Sequence, residues 1–500
     1  MTAQSDPIIA YGFAKEHGVI LLTEEDGSQR LGIREGAKPK AVVEARRVVG
    51  RPFQLHSLSR SEFDSALSQV YATRGLGDDY SEDGLDEQED LSSLIEGIPQ
   101  TADLLDADDD APVIKLINGL IFEAVKRKAS DIHIEPYEDK LSIRYRVDGV
   151  LRDVLNPSRR LAPLLVSRIK VMARLDIAEK RLPQDGRISL ALGGRAIDVR
   201  VSTLPSRYGE RVVLRLLDKE QAKLDLIELG MDPGVLQRFK SVLNEPNGIV
   251  LVTGPTGSGK TTTLYSGLTL LNDQTRNILT VEDPIEYGLD GVGQTQVNTK
   301  VGLTFAAGLR AILRQDPDVV MVGEIRDVET ARIAVQASQT GHLVMSTVHT
   351  NSSVAAVTRL RDMGVEPFLL SSTLRAVLAQ RLVRKLCPLC REAYQPTDIE
   401  AQAINLAPHQ TYTFYRAKGC MSCGNSGFDG RAGVFEFLFI DQAVRRMIHD
   451  GAAEHDIEDH AFRATDTLFQ NGARHVLNGV TTVEEVVRVC RRDGEGDANL

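Results

Sequence analysis

Nowhere in its 500 residues does this sequence reach the roughly 18 consecutive apolar residues that a membrane-spanning helix needs. Its first residues, Met1-Thr-Ala-Gln-Ser-Asp-Pro7, have neither a basic n-region nor an apolar h-region, so no secretory leader is expected. The expectation is a cytosolic chain. A basic surplus is missing too. Between Asp78 and Asp110 there are fourteen acidic residues and no Lys or Arg, and without them the net charge of −11 becomes +3. The remainder is nearly neutral, which gives no support to bulk nucleic-acid binding. Internal repeats are absent. What is present is ample apolar content, 42%, enough to pack cores, in a length that suits about three domains.

The acidic tract, residues 76–110, is too charged to bury surface and reads as a flexible linker. Ahead of it, residues 1–75 form a small α/β module. Val19–Thr23 and Gln29–Ile33 read as strands, and 40–49 and 60–73 as helices. No chemistry stands out there, and a compact module on a tether suggests partner docking. Residues 111–226 form an α+β domain. Val113 to Lys128 has helical spacing, Leu161 to Leu175 is a second helix, and short alternating runs make a set of strands. From 227 to 500, apolar runs at Ile249–Thr253, Ile278–Val281, Val319–Val322 and Leu343–Ser346 alternate with helical stretches, the pattern of a parallel sheet.

Residues Gly254-Pro-Thr-Gly-Ser-Gly-Lys-Thr-Thr262 carry the most chemistry. They sit between a strand run and a helix run, the context that makes G-x-x-x-x-G-K-[ST] a phosphate loop. Gly254, Gly257 and Gly259 let the backbone, with Pro255, Thr256 and Ser258, approach phosphate oxygens. Lys260 reaches the β/γ-phosphates, Thr261 is placed to bind Mg²⁺, and Thr262 opens the helix. Three later segments supply what the loop lacks. Leu279-Thr-Val-Glu-Asp-Pro-Ile-Glu286 brings Glu282 and Asp283 to a strand end, where carboxylates hold Mg²⁺ or orient water. Val319 to Arg326 places Glu324 after an apolar strand, with Gly323 where many such enzymes carry the magnesium Asp. Glu324 is thus the candidate for polarising the attacking water. His342 and His349 stand at opposite ends of a strand, as candidates for sensing the γ-phosphate.

Together with Ser130–Pro136, Tyr145–Gly149, Pro183–Arg187 and Gly209–Arg215, these segments resemble the secretion ATPase superfamily, and within it the ATPases of type II secretion and type IV pilus assembly. The resemblance covers about residues 111 to 490, and an absent magnesium Asp is normal in that family. It implies a RecA-like P-loop motor domain preceded by a PAS-like α+β domain. It also implies a homo-hexamer and arginines, here Arg200 and Arg215, that reach the nucleotide phosphates.

Cys387-Pro-Leu-Cys390 and Cys420-Met-Ser-Cys423 form two C-x-x-C pairs, which in a cytosolic chain read as one structural four-cysteine zinc site within residues 385–432. Arg384, Lys385, Arg391 and Lys418 flank them, but aromatic residues for base stacking are sparse. Within that segment, Gly419–Arg431 resembles the zinc element of type II secretion and pilus assembly ATPases. A C-terminal helical region, 436–492, follows, in which Cys490 is expected to be packed.

The expectation is therefore a cytoplasmic ATPase of type II secretion, driving pseudopilus assembly with Mg-ATP and one structural zinc. The resemblance implies that it docks through residues 1–75 on the cytoplasmic domain of a bitopic inner-membrane protein and works with an inner-membrane platform protein; the near-neutral charge and sparse aromatic residues lead to the expectation that it binds no nucleic acid directly. Type IV pilus assembly, a DNA-translocating NTPase and a nucleotide-gated scaffold are the alternatives.

Overall fold

In the computed structural model, the short runs near the N-terminus pair as β1 (Val19–Thr23), β2 (Gln29–Arg34) and β3 (Gln54–Leu58), with β1 and β2 antiparallel and β2 and β3 parallel. The helix Pro39–Val49 buries Ala41, Ala45 and Val49, one stripe at four-residue spacing, in a core with Val19, Ile20 and Leu31. The described residues are 17–23, 29–34, 36–37, 39–49, 53–59, 110–192, 195–218, 226–463 and 465–490, with Ile9, Phe63, Leu91 and Ile95 singly. The expected helix 60–73 and the acidic tract fall almost entirely outside them. Contacts divide the chain into two units, Met1–Asp218 and Lys219–Leu500.

The larger part of the first unit is an antiparallel sheet in the order β6-β5-β4-β9-β8-β7. Its strands are β4 (Ala129–Pro136), β5 (Leu141–Val147), β6 (Val150–Leu155), β7 (Gln184–Leu192), β8 (Arg195–Ser206) and β9 (Gly209–Asp218). One face is apolar: Ile132, Ile134, Tyr145, Val199 and Leu214 pack with the helices Asp110–Lys126 and Ala162–Met172. The alternate positions carry charge, because successive side chains leave a strand on opposite faces. On β4 these are Asp131, His133 and Glu135, with Arg144 and Arg211 paired to Glu135 and Arg146 and Arg215 to Asp131.

The second unit is built on a seven-stranded sheet in the order β12-β11-β13-β14-β10-β15-β18. Six of its strands are β10 (Gly248–Thr253), β11 (Ile278–Glu282), β12 (Gly293–Gln296), β13 (Val319–Val322), β14 (Leu343–Val348) and β15 (Leu374–Leu386), all parallel to one another. A two-stranded ribbon, β16 (Glu392–Tyr394) and β17 (Phe414–Arg416), precedes β18 (Phe428–Phe439), which pairs antiparallel with β15. The expected parallel alternation thus holds from β10 to β15 and ends at an antiparallel edge. Every residue of β10 is buried because helices cover both faces of the sheet. Ile249 and Leu251 join a core with the helices Phe305–Ile312, Val328–Gln339, Ser353–Asp362 and Gln442–His449. Val250 and Val252 join another with Pro233–Leu243 and Lys260–Leu271. Among the described residues no helix is long and apolar enough to cross a membrane.

Candidate active site

β10 stops at Thr253, and the chain turns through the loop before the helix Lys260–Leu271 begins. Gly254 has φ 150° and Gly259 φ 86°. A Cβ on Gly254 would stand 2.4 Å from the Gln380 carbonyl oxygen and 2.6 Å from Ser258 Oγ, so only glycine fits. Pro255, Thr256 and Gly257 form the exposed tip. No side chain caps the helix at Gly259, whereas Thr304, Asp327 and Ser352 each cap the helix that follows them. The first-turn amides, including those of Thr261 and Thr262, are thus left to an anion. The Lys260 ammonium donates to the carbonyls of Gly254 (2.8 Å) and Pro255 (3.0 Å). Burial lowers its pKa to about 8, Glu324 opposing the shift and Arg381 adding to it.

Glu324 is placed by the hydrogen bonds of its two neighbours at the ends of three strands. Gly323 N donates to Val281 O at 2.8 Å, Thr347 Oγ1 to Gly323 O at 2.8 Å, and Ile325 N to Thr347 O at 2.9 Å. The Glu324 side chain, 14% exposed, pairs with Arg326 and lies 3.4 Å from His349 Nε2. Burial, reinforced by Lys260, holds the His349 pKa below its usual value and so favours the neutral imidazole. Thr253 Oγ1 meets Thr350 Oγ1 at 2.7 Å and accepts from Thr350 N at 3.0 Å, which ties the His349 loop to the strand that ends in the phosphate loop. Lys260, Glu324, Arg326 and His349 are therefore brought together. Asp283, exposed after β11, acts on Arg326 through space. A Cβ at Gly323 would come within 3.3 Å of the Phe305 ring, so a metal-binding Asp has no room there unless Phe305 moves.

Glu282 is not among the exposed groups. It is 2% exposed, and its oxygens accept from Tyr265, from Thr280 Oγ1 at 2.5 Å and from Gln294 Nε2 at 3.1 Å. Gln294 Oε1 in turn accepts from Leu289 N at 2.7 Å. The carboxylate thus links the phosphate-loop helix to β12 and to the segment that carries Asp283. Glu282→Ala would leave two buried donors, the Tyr265 and Thr280 hydroxyls, without their acceptor, so an unfolding free energy lower by about 1–3 kcal/mol is expected, read by denaturant titration. An unchanged midpoint would contradict that role.

His342 also lies apart. It stands at the entry end of β14, where Nδ1 meets Ala337 O at 2.8 Å and Thr340 Oγ1 at 3.1 Å. At about 3.3 Å rise per residue, β14 separates it from His349 by roughly 20 Å. Arg200 and Arg215 belong to the first unit, where they are register partners across β8 and β9; Arg215 Nε donates to Asp131 Oδ1 at 3.0 Å. The sequence motifs include Arg326 without giving it a role, and the Tyr265–Gln294 network is not legible in them. Only the hydroxyl and amide types at strand ends hint at it.

The four cysteines converge. All four Sγ atoms lie within 4.8 Å of one another, with Cys387–Cys420 and Cys390–Cys423 at 3.9 Å and Cys420–Cys423 at 3.7 Å. Four thiolates about 2.3 Å from a tetrahedral zinc stand about 3.8 Å apart, so the donor set fits that ion. Amides of Cys420 and Gly427 each donate to Cys423 Sγ at 3.2 Å, as suits a thiolate.

Comparison with known proteins agrees with this geometry. A family model described as Type II/IV secretion system protein matches residues 106–488, and one for an amino-terminal domain of GSPII protein E matches residues 9–71. The chain is 56% identical to the Type II secretion system protein E of Aeromonas hydrophila over 97% of each chain. It is also 56% identical to the Type II secretion system ATPase E of Vibrio cholerae, over 98% of this chain and 97% of that one. Among solved structures it resembles the pilus retraction motor PilT with bound ADP, at 25% identity and TM-score 0.51, over 76% of this chain and 98% of that one. The ATPase DotB of Legionella pneumophila, at 21% identity and TM-score 0.53 over 74% and 94%, shares the fold. With the phosphate loop, Glu324 and the cysteine cluster in place, and a family model covering most of its length, this chain belongs to the type II secretion system protein E family.

Proposed function

We infer that this chain is the ATPase that energises type II protein secretion by driving pseudopilus assembly. The observation that carries the reading is the meeting of Lys260, Glu324 and His349 at the carboxyl edge of the sheet, beside an uncapped helix start. The backbone N–H groups of Thr256–Thr262 and the Lys260 ammonium bind the polyphosphate of ATP, and Thr261 is the hydroxyl that would hold Mg²⁺, which supplies charge neutralisation. Glu324 orients a water and takes its proton as oxygen bonds to the γ-phosphorus and the bond to ADP breaks. His349, within reach of Glu324, senses that phosphate. Glu282 supports the site from behind rather than by touching it. Arg200 and Arg215 contribute charge at the phosphates, as guanidinium groups do in phosphoryl transfer.

The rest of the assignment follows the chain. Residues 1–75 dock on the cytoplasmic domain of a bitopic inner-membrane protein, 76–110 tether them, and 111–226 carry the arginines. Residues 227–500 form the motor, with zinc held by Cys387, Cys390, Cys420 and Cys423. The chain acts as a hexamer at the cytoplasmic side of the inner membrane, reached through partners that include a platform protein. In a host lacking this gene, the wild-type chain is expected to restore export of secreted enzymes and Lys260→Ala is not. Restoration by Lys260→Ala, or restoration of pili with no effect on export, would sink the reading.

A further inference from the structure

β15 runs alongside β10 and then beneath the phosphate loop: Thr253 pairs in register with Ala379, so Gln380 and Arg381 continue past the point where β10 ends. Gln380 faces the loop, with Oε1 accepting from Thr263 Oγ1 at 2.7 Å. The next side chain faces the other way. Arg381 is 8% exposed, and every hydrogen bond it makes among the described residues goes to a neutral oxygen. Its Nη2 donates to Asn351 O at 2.9 Å and to Asn351 Oδ1 at 3.2 Å, and Nη1 to Gln380 O at 3.3 Å. Glu436 acts on it only through space, and burial lowers its pKa. A buried guanidinium paired with neutral groups is an expensive way to fill space. Lys260, a second cation and itself half-buried, is near enough to feel its charge.

Asn351 is two residues from His349, and Thr350 between them is held by Thr253. The loop is therefore clamped from both sides, by the end of β10 and by β15. We propose that Arg381 is a positioning residue of the ATPase site: by gripping Asn351 it fixes the loop that sets His349 against Glu324. It also adds a second buried positive charge near Lys260, to be met by the bound polyphosphate. This rests on the reading that His349 and Glu324 serve hydrolysis at the phosphate loop.

The test uses the full chain and steady-state hydrolysis of ATP. Arg381→Met keeps the bulk and removes the grip and the charge; Arg381→Lys keeps the charge without the double bond to Asn351. Misplacement of a reacting group by about an ångström costs roughly 10- to 100-fold, so that fall in kcat is expected for Arg381→Met, with a smaller change in KM and partial recovery in Arg381→Lys. Added to His349→Ala, Arg381→Met should lower kcat no further, because both act on turnover through one loop, whereas the lost charge near the polyphosphate is read in KM. Multiplying losses in the double variant, or a native kcat in Arg381→Met, overturn the proposal. If the Met variant does not fold, the Lys variant decides: a native kcat overturns the proposal, and a lowered kcat with unchanged KM supports it. Glu324→Gln measured alongside separates the two readings. Native hydrolysis there removes the site assignment itself, whereas an inactive Glu324→Gln with fully active Arg381 variants removes only the present inference.

Discussion

Glu324→Gln is expected to bind ATP as the wild type does and to turn it over at least about 100-fold more slowly, the usual loss when a general base is removed. The substitution keeps the shape and the hydrogen-bonding reach of the side chain but takes away the proton acceptor. Binding should persist because the polyphosphate contacts lie elsewhere, in the loop amides, Lys260 and Thr261. Folding should persist as well. The Arg326 partner is 60% exposed, so that ion pair contributes little to stability. The hydrogen bonds that hold the backbone of Gly323 and Ile325 do not involve the Glu324 side chain. A steady-state assay with equilibrium nucleotide binding checks both halves, and weak binding with intact turnover per bound nucleotide would show that Glu324 serves affinity instead.

Metal removal is the second large effect. One zinc per chain is expected by elemental analysis of the purified protein, lost on replacing Cys420 and Cys423 with serine. A structural zinc site contributes on the order of 10 kcal/mol to the fold around it. Here the consequence should spread beyond the knuckles. The element does not have a core of its own: Ile404 and Phe414 share one with Ala379 and Val383 of β15 and with Leu468, Val476, Val483 and Val486 of the last helices. Backbone bonds from Cys387 N to Gly427 O (2.9 Å) and Leu386 N to Val480 O (2.8 Å) join the same parts. Chelation or the double serine variant should therefore raise hydrogen exchange through residues 387–430 and in the helices Leu468–Leu477 and Val483–Cys490. The phosphate loop should stay protected. Exchange unchanged after complete metal removal would mean that the shared apolar core alone holds the element.

The strands that carry the site could be read in advance because the sheet is covered on both faces. β10 and β13 are apolar runs, β14 begins as one before Ser346 and Thr347, and their ends mark where Lys260, Glu324 and His349 emerge. β15 could not be read that way. Arg375, Gln380, Arg381 and Arg384 interrupt its pattern, and each is bonded to a specific partner: Asn247, Thr263, Asn351 and Glu485. Polar residues that act in a buried strand hide the strand from any hydrophobic period. β3 has four exposed residues of five and no alternation to detect.

Glu282 shows how fine the difference is. A strand ending at Val281 would leave Glu282 as the first residue of the emerging loop. β11 runs one residue further, and the pleat turns Glu282 inward to Tyr265 and sends the solvent-facing position to Asp283. Because strand side chains alternate, one residue decides between a buried strut and an exposed carboxylate. The histidines differ for a related reason: both flank β14, and only the carboxyl end of a parallel strand meets the phosphate loop. The cysteine pairs needed no such precision, since the C-x-x-C spacing alone lets both sulfurs of a pair reach one point.

The most direct measurement is the identity of the nucleotide that stays on the protein. Wild type and Glu324→Gln are incubated with ATP and Mg²⁺, separated from free nucleotide, and the bound nucleotide is extracted and resolved. If hydrolysis occurs at the phosphate loop through Glu324, the wild type carries ADP and the variant carries ATP. ADP on both proteins would contradict the account.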